Sequence, residues 1–198
     1  MFSGDRMNVY DFDGTIYDGD SSIDFYLFCI KKKPVIFWKS IFNQLSGAVL
    51  FKLGIISRKR FKEKYFCFLK RISIDDALLN EFWNQKYSRV KAWYLKQKKS
   101  DDLVISASPE FLLRPVCEKL GVSLIASEVD ILTGHFEAEN CRGEEKVRRF
   151  QEQFPDGVIE RFYTDSKADL PLMRIAKEAF FVQKQTVIRY CFDGQTKS

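Results

Sequence analysis

Strand-like and helix-like segments are unevenly distributed along this chain, and that distribution constrains its fold more than any other feature. Residues 6–12 form an apolar stretch that reads as a β-strand, and Asp13-Gly14-Thr15 after it is a turn signal. From residue 21 to about residue 99, aromatic and aliphatic side chains recur at helical spacing, and strand-like segments return only after that. Strands that alternate with helices are typical of a parallel sheet between two helical layers. We therefore expect a three-layer α/β fold with an all-helical segment inserted after its first strand.

The second half of the chain predicts the remaining elements of that sheet. Further strands are expected at residues 103–106, 122–126, 159–164, 180–182 and 187–190, and helices at residues 109–120, 143–154 and 170–179. Residues 128–139 read as a hairpin through Thr133-Gly134. The core would then comprise residues 1–17 and 100–198, with residues 18–99 as a helical cap.

Charge divides the chain in the same way. Residues 18–100 contain 18 Lys and Arg against 7 Asp and Glu, a net charge of +11, and the whole chain carries +5, which leaves −6 for the remainder. An acidic core beside a basic cap suits a site that holds a cation and an anionic substrate.

The five cysteines are scattered, odd in number and never spaced as C-x-x-C. Such spacing predicts neither a disulfide framework nor a zinc site, so we expect reduced thiols in a cytoplasmic protein. The amino-terminal stretch turns acidic before any apolar region develops, and no signal peptide is expected. Residues 34–56 are the most membrane-like, but Lys39, Asn43, Gln44 and Lys52 interrupt them, so they fall short of the roughly 20 apolar residues of a membrane span.

The strongest chemical motif is Asp11-Phe12-Asp13-Gly14-Thr15, at the end of the first predicted strand. Ligands of open α/β sheets bind beyond the carboxyl ends of the strands. Two carboxylates one residue apart would repel each other there unless a cation lies between them, and Mg²⁺ suits such oxygen ligands. The alternative interpretation is an ordinary turn at Asp13-Gly14.

Three weaker elements follow in order. Ser106-Ala107-Ser108 ends the next predicted strand, where a hydroxyl and backbone N–H groups could hold an anion, or where the serines could be helix caps. Lys146 lies early in a predicted helix and could reach phosphoryl oxygens, or simply be solvated. Asp165 ends a further strand, with Asp169 one turn later; the pair could complete a metal shell and orient Lys146, or cap a helix.

Together, DFDGTI, the serine, the lysine and the DxxxD element resemble the haloacid dehalogenase superfamily of phosphotransferases, in family order over the whole chain. The helical segment directly after DFDGT resembles the cap of its phosphoserine-phosphatase-like branch, subfamily IB. The resemblance implies a Rossmann-like core and a Mg²⁺-dependent phosphatase that works through an aspartyl-phosphate.

The resemblance also implies residue roles. Asp11 would be the nucleophile, and Asp13 the general acid and then the general base. The phosphate grip would comprise Ser106, Ala107 and Lys146. The Mg²⁺ ligands would be Asp11, the backbone carbonyl of Asp13 and Asp165, with Asp169 in support.

The substrate is expected to be a small or lipid-linked phosphate monoester. Phosphoserine phosphatase has a Glu shortly after its DxD element, whereas residues 18–22 here are DGDSS. The segments SLIASEVD and CRGEEKV look closer to phosphatases of phospholipid head groups, including phosphatidylglycerophosphate. Transfer of the phosphoryl group to an acceptor other than water is a further alternative.

The basic cap suggests two other kinds of partner. A nucleic-acid-binding module is disfavoured, because the arginine-aromatic platforms and glycine-rich loops of RNA binders are missing. The cap's aromatic residues, beside Lys31–Lys33, Lys39 and Lys52, allow two interpretations: an amphipathic helix in peripheral contact with an anionic membrane, or the cap's own core with solvated lysines. The sequence predicts no oligomeric state.

Overall fold

A computed structural model describes residues 6–192. Its centre is a six-stranded sheet with the strand order β3-β2-β1-β4-β5-β6. The strands are β1 (Arg6–Tyr10), β2 (Leu103–Pro109), β3 (Ser123–Ser127), β4 (Val158–Thr164), β5 (Glu178–Gln183) and β6 (Thr186–Tyr190). Every neighbouring pair from β3 to β5 is parallel, which confirms the expected parallel α/β sheet.

The last strand, β6, is antiparallel to β5. Only two residues separate the strands, and so short a connection can join only antiparallel neighbours. Lys184 in this turn has a φ of 53°, as such turns require.

The chain between β1 and β2 is helical, as the sequence predicts. This helical insertion contains α1 (Ser21–Lys32), α2 (Val35–Lys52), α3 (Arg58–Tyr65), α4 (Asp76–Lys86) and α5 (Ala92–Gln97). The helices after β2 are α6 (Glu110–Leu120), α7 (Glu144–Gln153) and α8 (Leu170–Ile175). No helix in the described part of the chain is both long and apolar enough to cross a membrane.

Alternation along the strands produces two separate cores. Tyr10 and Tyr163 point to one face, where they pack with residues of the insertion and of α6. Their neighbours Val9 and Phe162 point to the other face and pack with residues of α7 and α8. Successive side chains of a strand alternate between faces, so the sheet is covered on both sides and the three-layer prediction holds.

Two predicted elements differ from the structure. The helix expected at residues 170–179 ends at Ile175, because Ala179 belongs to β5 and pairs with Phe162 and Tyr190. Residues 128–139 form a turn with one isolated bridge, Val129 to Phe136, rather than a two-stranded hairpin.

The aromatic residues of the insertion fall into two groups. Phe25, Phe28 and Phe82 are buried and pack ring against ring at centroid distances of 5.2–6.3 Å. Trp38 and Phe42 on α2 are instead 71% and 79% exposed. The insertion therefore has an aromatic core of its own and also presents aromatic side chains to solvent.

Candidate active site

Asp11 lies at the carboxyl edge of the sheet, directly after β1. Tyr10 pairs with Tyr163 of β4, and the Asp11 N–H continues the ladder by donating to the Tyr163 carbonyl oxygen over 2.9 Å. The side chain is therefore held where the central strands end, and only 8% of the residue is exposed.

Lys146, in the first turn of α7, lies between two carboxylates. Its Nζ donates to Asp11 Oδ1 over 2.7 Å and to Asp169 Oδ2 over 2.8 Å, and only 2% of the residue is exposed. Thr164 Oγ1 also donates to Asp169 Oδ2, over 2.8 Å. Burial alone would lower the pKa of Lys146, but Asp11 and Asp169 together raise it above its usual range, so the ammonium stays charged.

The charge of Lys146 also affects the pKa of Asp11. Burial raises the pKa of Asp11 to about 7, and the charge of Lys146 opposes that shift. Among residues 6–192, no hydrogen-bond donor reaches the second oxygen, Oδ2. This oxygen is therefore the one available to a ligand.

Asp13 is held by the insertion and by β2 together. Its Oδ1 accepts a hydrogen bond from the Ser21 N–H at the start of α1 over 2.7 Å, and its Oδ2 accepts one from Ser108 Oγ. Burial, and then the nearby charge of Asp20, raise the pKa of Asp13 to about 6, against these hydrogen bonds. A carboxyl group with such a pKa can give and take a proton near neutral pH.

Asp165 follows β4 and lies against the backbone of Gly14. A Cβ atom built on Gly14 would be 1.9 Å from Asp165 Oδ2, so a larger residue would displace that carboxylate, and the φ of +73° at this position also favours glycine. Buried Lys91 donates from Nζ to the Gly14 carbonyl oxygen and fixes this loop from the other side. Asp165 is thus brought to the loop that begins at Asp11.

These residues fit a magnesium ion. The carboxylates of Asp11 and Asp165 and the backbone carbonyl of Asp13 are hard oxygen donors of the kind that Mg²⁺ prefers. Within the described range, no three His, Cys, Asp or Glu side chains gather into a metal cluster. The ion would therefore depend on the backbone oxygen and on water, which agrees with the few protein ligands that Mg²⁺ usually takes.

Ser106 and Ala107 lie within β2, not in a turn after it. The strand extends three residues beyond Ser106, to Pro109, which corrects the predicted end at residue 106. Ser106 Oγ accepts a hydrogen bond from the Ser108 N–H over 3.1 Å. The Ala107 carbonyl oxygen accepts hydrogen bonds from Lys62 Nζ over 2.7 Å and Ser127 Oγ over 3.1 Å.

Sequence reasoning missed the roles of Lys62 and Lys91. Lys62 Nζ also donates to Asn140 Oδ1 over 2.8 Å, and burial lowers its pKa to about 8, against the nearby charges of Asp13 and Asp20. Neither lysine carries a sequence signal, since both belong to a segment with 18 basic residues. Ser108 is predicted from the sequence as part of an anion-binding turn or as a helix cap, whereas in the structure its hydroxyl donates to Asp13 Oδ2.

A sheet with an inserted helical segment after its first strand, and with charged side chains gathered at its carboxyl edge, defines a Rossmann-like enzyme class with a cap. The family model for haloacid dehalogenase-like hydrolases matches residues 9–174, and the chain belongs to this family. The resemblance drawn from the four sequence elements is therefore confirmed at the level of the family.

Individual relatives are more distant. Protein CicA of Caulobacter vibrioides is 30% identical over 95 residues, which cover 44% of this chain and 42% of CicA, so the chain spans less than half the length of this curated relative. A Bordetella pertussis protein with unknown function has a similar structure, with a TM-score of 0.74, 19% identity and 89% of each chain covered. A probable phosphoserine phosphatase from Vibrio cholerae follows, with a TM-score of 0.61, 12% identity, and 88% of this chain and 55% of that chain covered. At these identities the two structures show a shared fold.

Proposed function

We propose that this protein is a Mg²⁺-dependent phosphomonoesterase in which Asp11 accepts the phosphoryl group. The observation that carries the proposal is the buried contact of Lys146 Nζ with Asp11 Oδ1 at 2.7 Å, beside a second Asp11 oxygen that no donor of residues 6–192 reaches. A permanent cation there favours the ionised, nucleophilic form of Asp11 and attracts phosphoryl oxygens.

In the first step, an Asp11 carboxylate oxygen forms a bond to phosphorus while the bond from phosphorus to the ester oxygen breaks. Asp13 gives its proton to that departing oxygen, which leaves as an alcohol. In the second step, Asp13 takes a proton from a water molecule, and the water oxygen attacks the phosphorus of the aspartyl-phosphate. The bond between phosphorus and Asp11 then breaks and inorganic phosphate is released.

The other residues hold the phosphoryl group in position and neutralise its charge. Lys146, the Ser106 hydroxyl and the Ala107 N–H would hold the phosphoryl oxygens, and Asp169 keeps Lys146 in place. Mg²⁺ held by Asp11, the Asp13 carbonyl and Asp165 would offset the negative charge of the phosphoryl group.

We propose a small or lipid-linked monoester as the substrate. The basic insertion beside the acidic core supports an anionic substrate in either case. A lipid-linked ester, such as a phospholipid head group, would bring the enzyme to a membrane surface as a peripheral protein. The Vibrio neighbour is described as a probable phosphoserine phosphatase, but the DGDSS stretch at residues 18–22 argues against phosphoserine here.

Hydrolysis of p-nitrophenyl phosphate tests the proposal. We expect activity with Mg²⁺, loss of activity with EDTA, and loss of about 10³-fold or more in Asp11→Asn. Exposed Asp101, before β2 at the opposite edge of the sheet, provides the matched control Asp101→Asn, which should retain activity. Wild-type activity in Asp11→Asn would refute the assigned nucleophile. Phosphorylated product formed from an added alcohol would instead indicate transfer to an acceptor other than water.

A further inference from the structure

One side of α2 is an exposed apolar stripe. We call it the α2 apolar face. Its members recur every three or four residues, all are exposed, and the last is the residue directly after the helix: Trp38 (71% exposed), Phe42 (79%), Leu45, Val49 and Leu53. Side chains at this spacing share one side of a helix. Soluble monomers rarely expose a contiguous apolar patch of this kind, so the α2 apolar face indicates an interaction surface.

Polar contacts on the opposite side fix the orientation of α2. Tyr26 OH donates to Gln44 Oε1 over 2.7 Å, and Gln44 Nε2 donates to the Tyr65 carbonyl oxygen over 3.1 Å. Ser40 Oγ lies 3.1 Å from Tyr26 OH, and Gly47 packs against the stem of Lys64. The insertion therefore anchors α2 by these residues and by Ile36, which is fully buried, and the large apolar side chains of the opposite side point outward.

The sequence around this face is strongly basic, although Lys32 pairs with Glu81 over 2.6 Å. Between Asp24 and Glu63 there is no acidic residue, while the basic residues of that stretch are Lys31, Lys32, Lys33, Lys39, Lys52, Arg58, Lys59, Arg60 and Lys62. Lys39 and Lys52 are exposed on α2 itself, and Lys31–Lys33 are exposed at its amino end. A surface that combines large apolar side chains with lysines complements the boundary between acyl chains and anionic head groups.

We propose that the α2 apolar face binds an anionic lipid surface. Trp38 and Phe42 enter the boundary between head groups and acyl chains, and the surrounding lysines contact the anionic head groups. A second copy of the chain is a poorer occupant, because a two-fold contact through this face would oppose basic residues to basic residues. The proposal concerns a face of the insertion, and it does not require the hydrolysis proposed above.

Tryptophan fluorescence gives a direct measurement. The chain has three tryptophans, of which Trp83 is buried and Trp93 is partly buried, so Trp38 is the one that solvent reaches freely. Vesicles of equal parts phosphatidylcholine and phosphatidylglycerol should shift the tryptophan emission to shorter wavelength. On centrifugation, the protein should sediment with these vesicles. Vesicles of phosphatidylcholine alone should do so much more weakly, and salt should weaken the anionic case.

Variants test whether vesicle binding depends on the α2 apolar face. We expect Trp38→Ala/Phe42→Ala and Lys39→Glu/Lys52→Glu each to weaken vesicle binding about tenfold or more. Ile188→Ala on β6, whose side chain is 47% exposed at the far edge of the sheet, is the matched control and should bind as wild type does. Circular dichroism and the melting temperature check that each variant is folded, which is expected because the altered side chains are exposed.

Asp11→Asn should bind vesicles normally while losing hydrolysis, so failure of either proposal can be recognised separately. Absence of wild-type binding to anionic vesicles would overturn the inference, as would unchanged binding by both double variants. A wild-type dimer that Trp38→Ala/Phe42→Ala converts to a monomer, without vesicle binding by either, would assign the face to a second copy of the chain.

Discussion

Lys62 Nζ donates a hydrogen bond to the Ala107 carbonyl oxygen over 2.7 Å, and this contact joins α3 of the insertion to β2. The same ammonium group donates to Asn140 Oδ1 over 2.8 Å. One side chain thus connects the insertion, the strand that carries Ser106, and the segment before α7 that leads to Lys146.

Lys62→Met keeps the aliphatic stem and removes the donor. We expect the free energy of unfolding to fall by about 1 kcal/mol, because the Ala107 carbonyl oxygen and Asn140 Oδ1 each lose one hydrogen bond and keep the one from Ser127 Oγ. We also expect the KM for p-nitrophenyl phosphate to rise about fivefold, because the site loses a positive charge. Urea denaturation and steady-state kinetics measure the two effects. Lys70→Met, at an exposed position of the same segment, is the control and should change neither; wild-type KM and stability in Lys62→Met would contradict the prediction.

Gly14→Ala should displace the carboxylate of Asp165. The new Cβ would lie 1.9 Å from Asp165 Oδ2, whereas a Cβ at Gly121, which has a similar positive φ of +69°, meets nothing within 4 Å. Both substitutions strain the backbone by about 1 kcal/mol, but only Gly14→Ala disturbs the proposed metal ligand. We expect it to raise the Mg²⁺ concentration for half-maximal activity about tenfold or more, with Gly121→Ala unchanged. Equal Mg²⁺ dependence in the two variants would argue against Asp165 as a ligand.

The proposed acid role of Asp13 predicts a dependence on the leaving group. Asp13→Asn should slow hydrolysis of an alkyl phosphate about 10³-fold, and that of p-nitrophenyl phosphate only about tenfold, because nitrophenolate departs without a proton. The amide retains an oxygen to accept the Ser21 N–H, so the start of α1 should be preserved. Asp76→Asn, at an exposed position in the first turn of α4, is the control and should change neither rate. Equal losses for both esters would show that Asp13 does not protonate the leaving group.

Removing the charge of Lys146 should affect activity and stability together. Lys146→Met leaves the buried carboxylates of Asp11 and Asp169 without their cation, and we expect a loss of about 3–5 kcal/mol in the free energy of unfolding and about 10³-fold in kcat. Lys146→Arg retains the charge and should recover part of the stability. Lys96→Met, at an exposed position, is the control. Full stability in Lys146→Met, measured by urea denaturation, would mean that the carboxylates are compensated in another way.

The pH dependence of stability should carry a contribution from Glu145, the residue before Lys146. Hydrogen bonds from Arg148, and also from Arg149, lower the pKa of Glu145 to about 2. A lowered folded-state pKa stabilises the protein above the usual pKa of 4.5, and this contribution is lost as the pH falls toward 2. Allowing for the exposed position of Arg148, we expect Glu145→Gln to cost about 1–2 kcal/mol at pH 7. The difference from wild type in urea denaturation should shrink between pH 4.5 and pH 3; a difference that is constant with pH would exclude this ion pair as its source.

Much of the fold could be predicted because its signals are local. Short continuous apolar runs mark the strands, and helical spacing marks the insertion. The prediction failed at residues 176–179, because a short apolar run such as Ala179-Phe180-Phe181 continues a helical pattern as well as it begins a strand. These residues form a strand because they pair with β4 and β6, and a local stretch of sequence does not contain that information.

The candidate site also contains residues that the sequence could predict and residues that it could not. Asp11 and Asp165 follow strands directly, and parallel topology alone places such positions at one edge of a sheet. Lys62 and Lys91 reach the same region from helical segments whose approach depends on tertiary packing, so their spacing in the sequence carried no indication of it. The structure was also needed to separate the aromatic residues of the cap's own core from those that face solvent, since Phe25 and Phe42 differ in exposure and not in residue type.

The pairing of Tyr10 with Tyr163 fixes the distance between the two acidic segments without help from the insertion. Backbone ladders of this kind tolerate extensive exchange of the loops around them. Relatives could therefore replace the helices from α1 to α5, and with them the choice of substrate, while Asp11 and Asp165 keep their spacing. In this architecture, catalysis and selectivity can diverge independently during evolution.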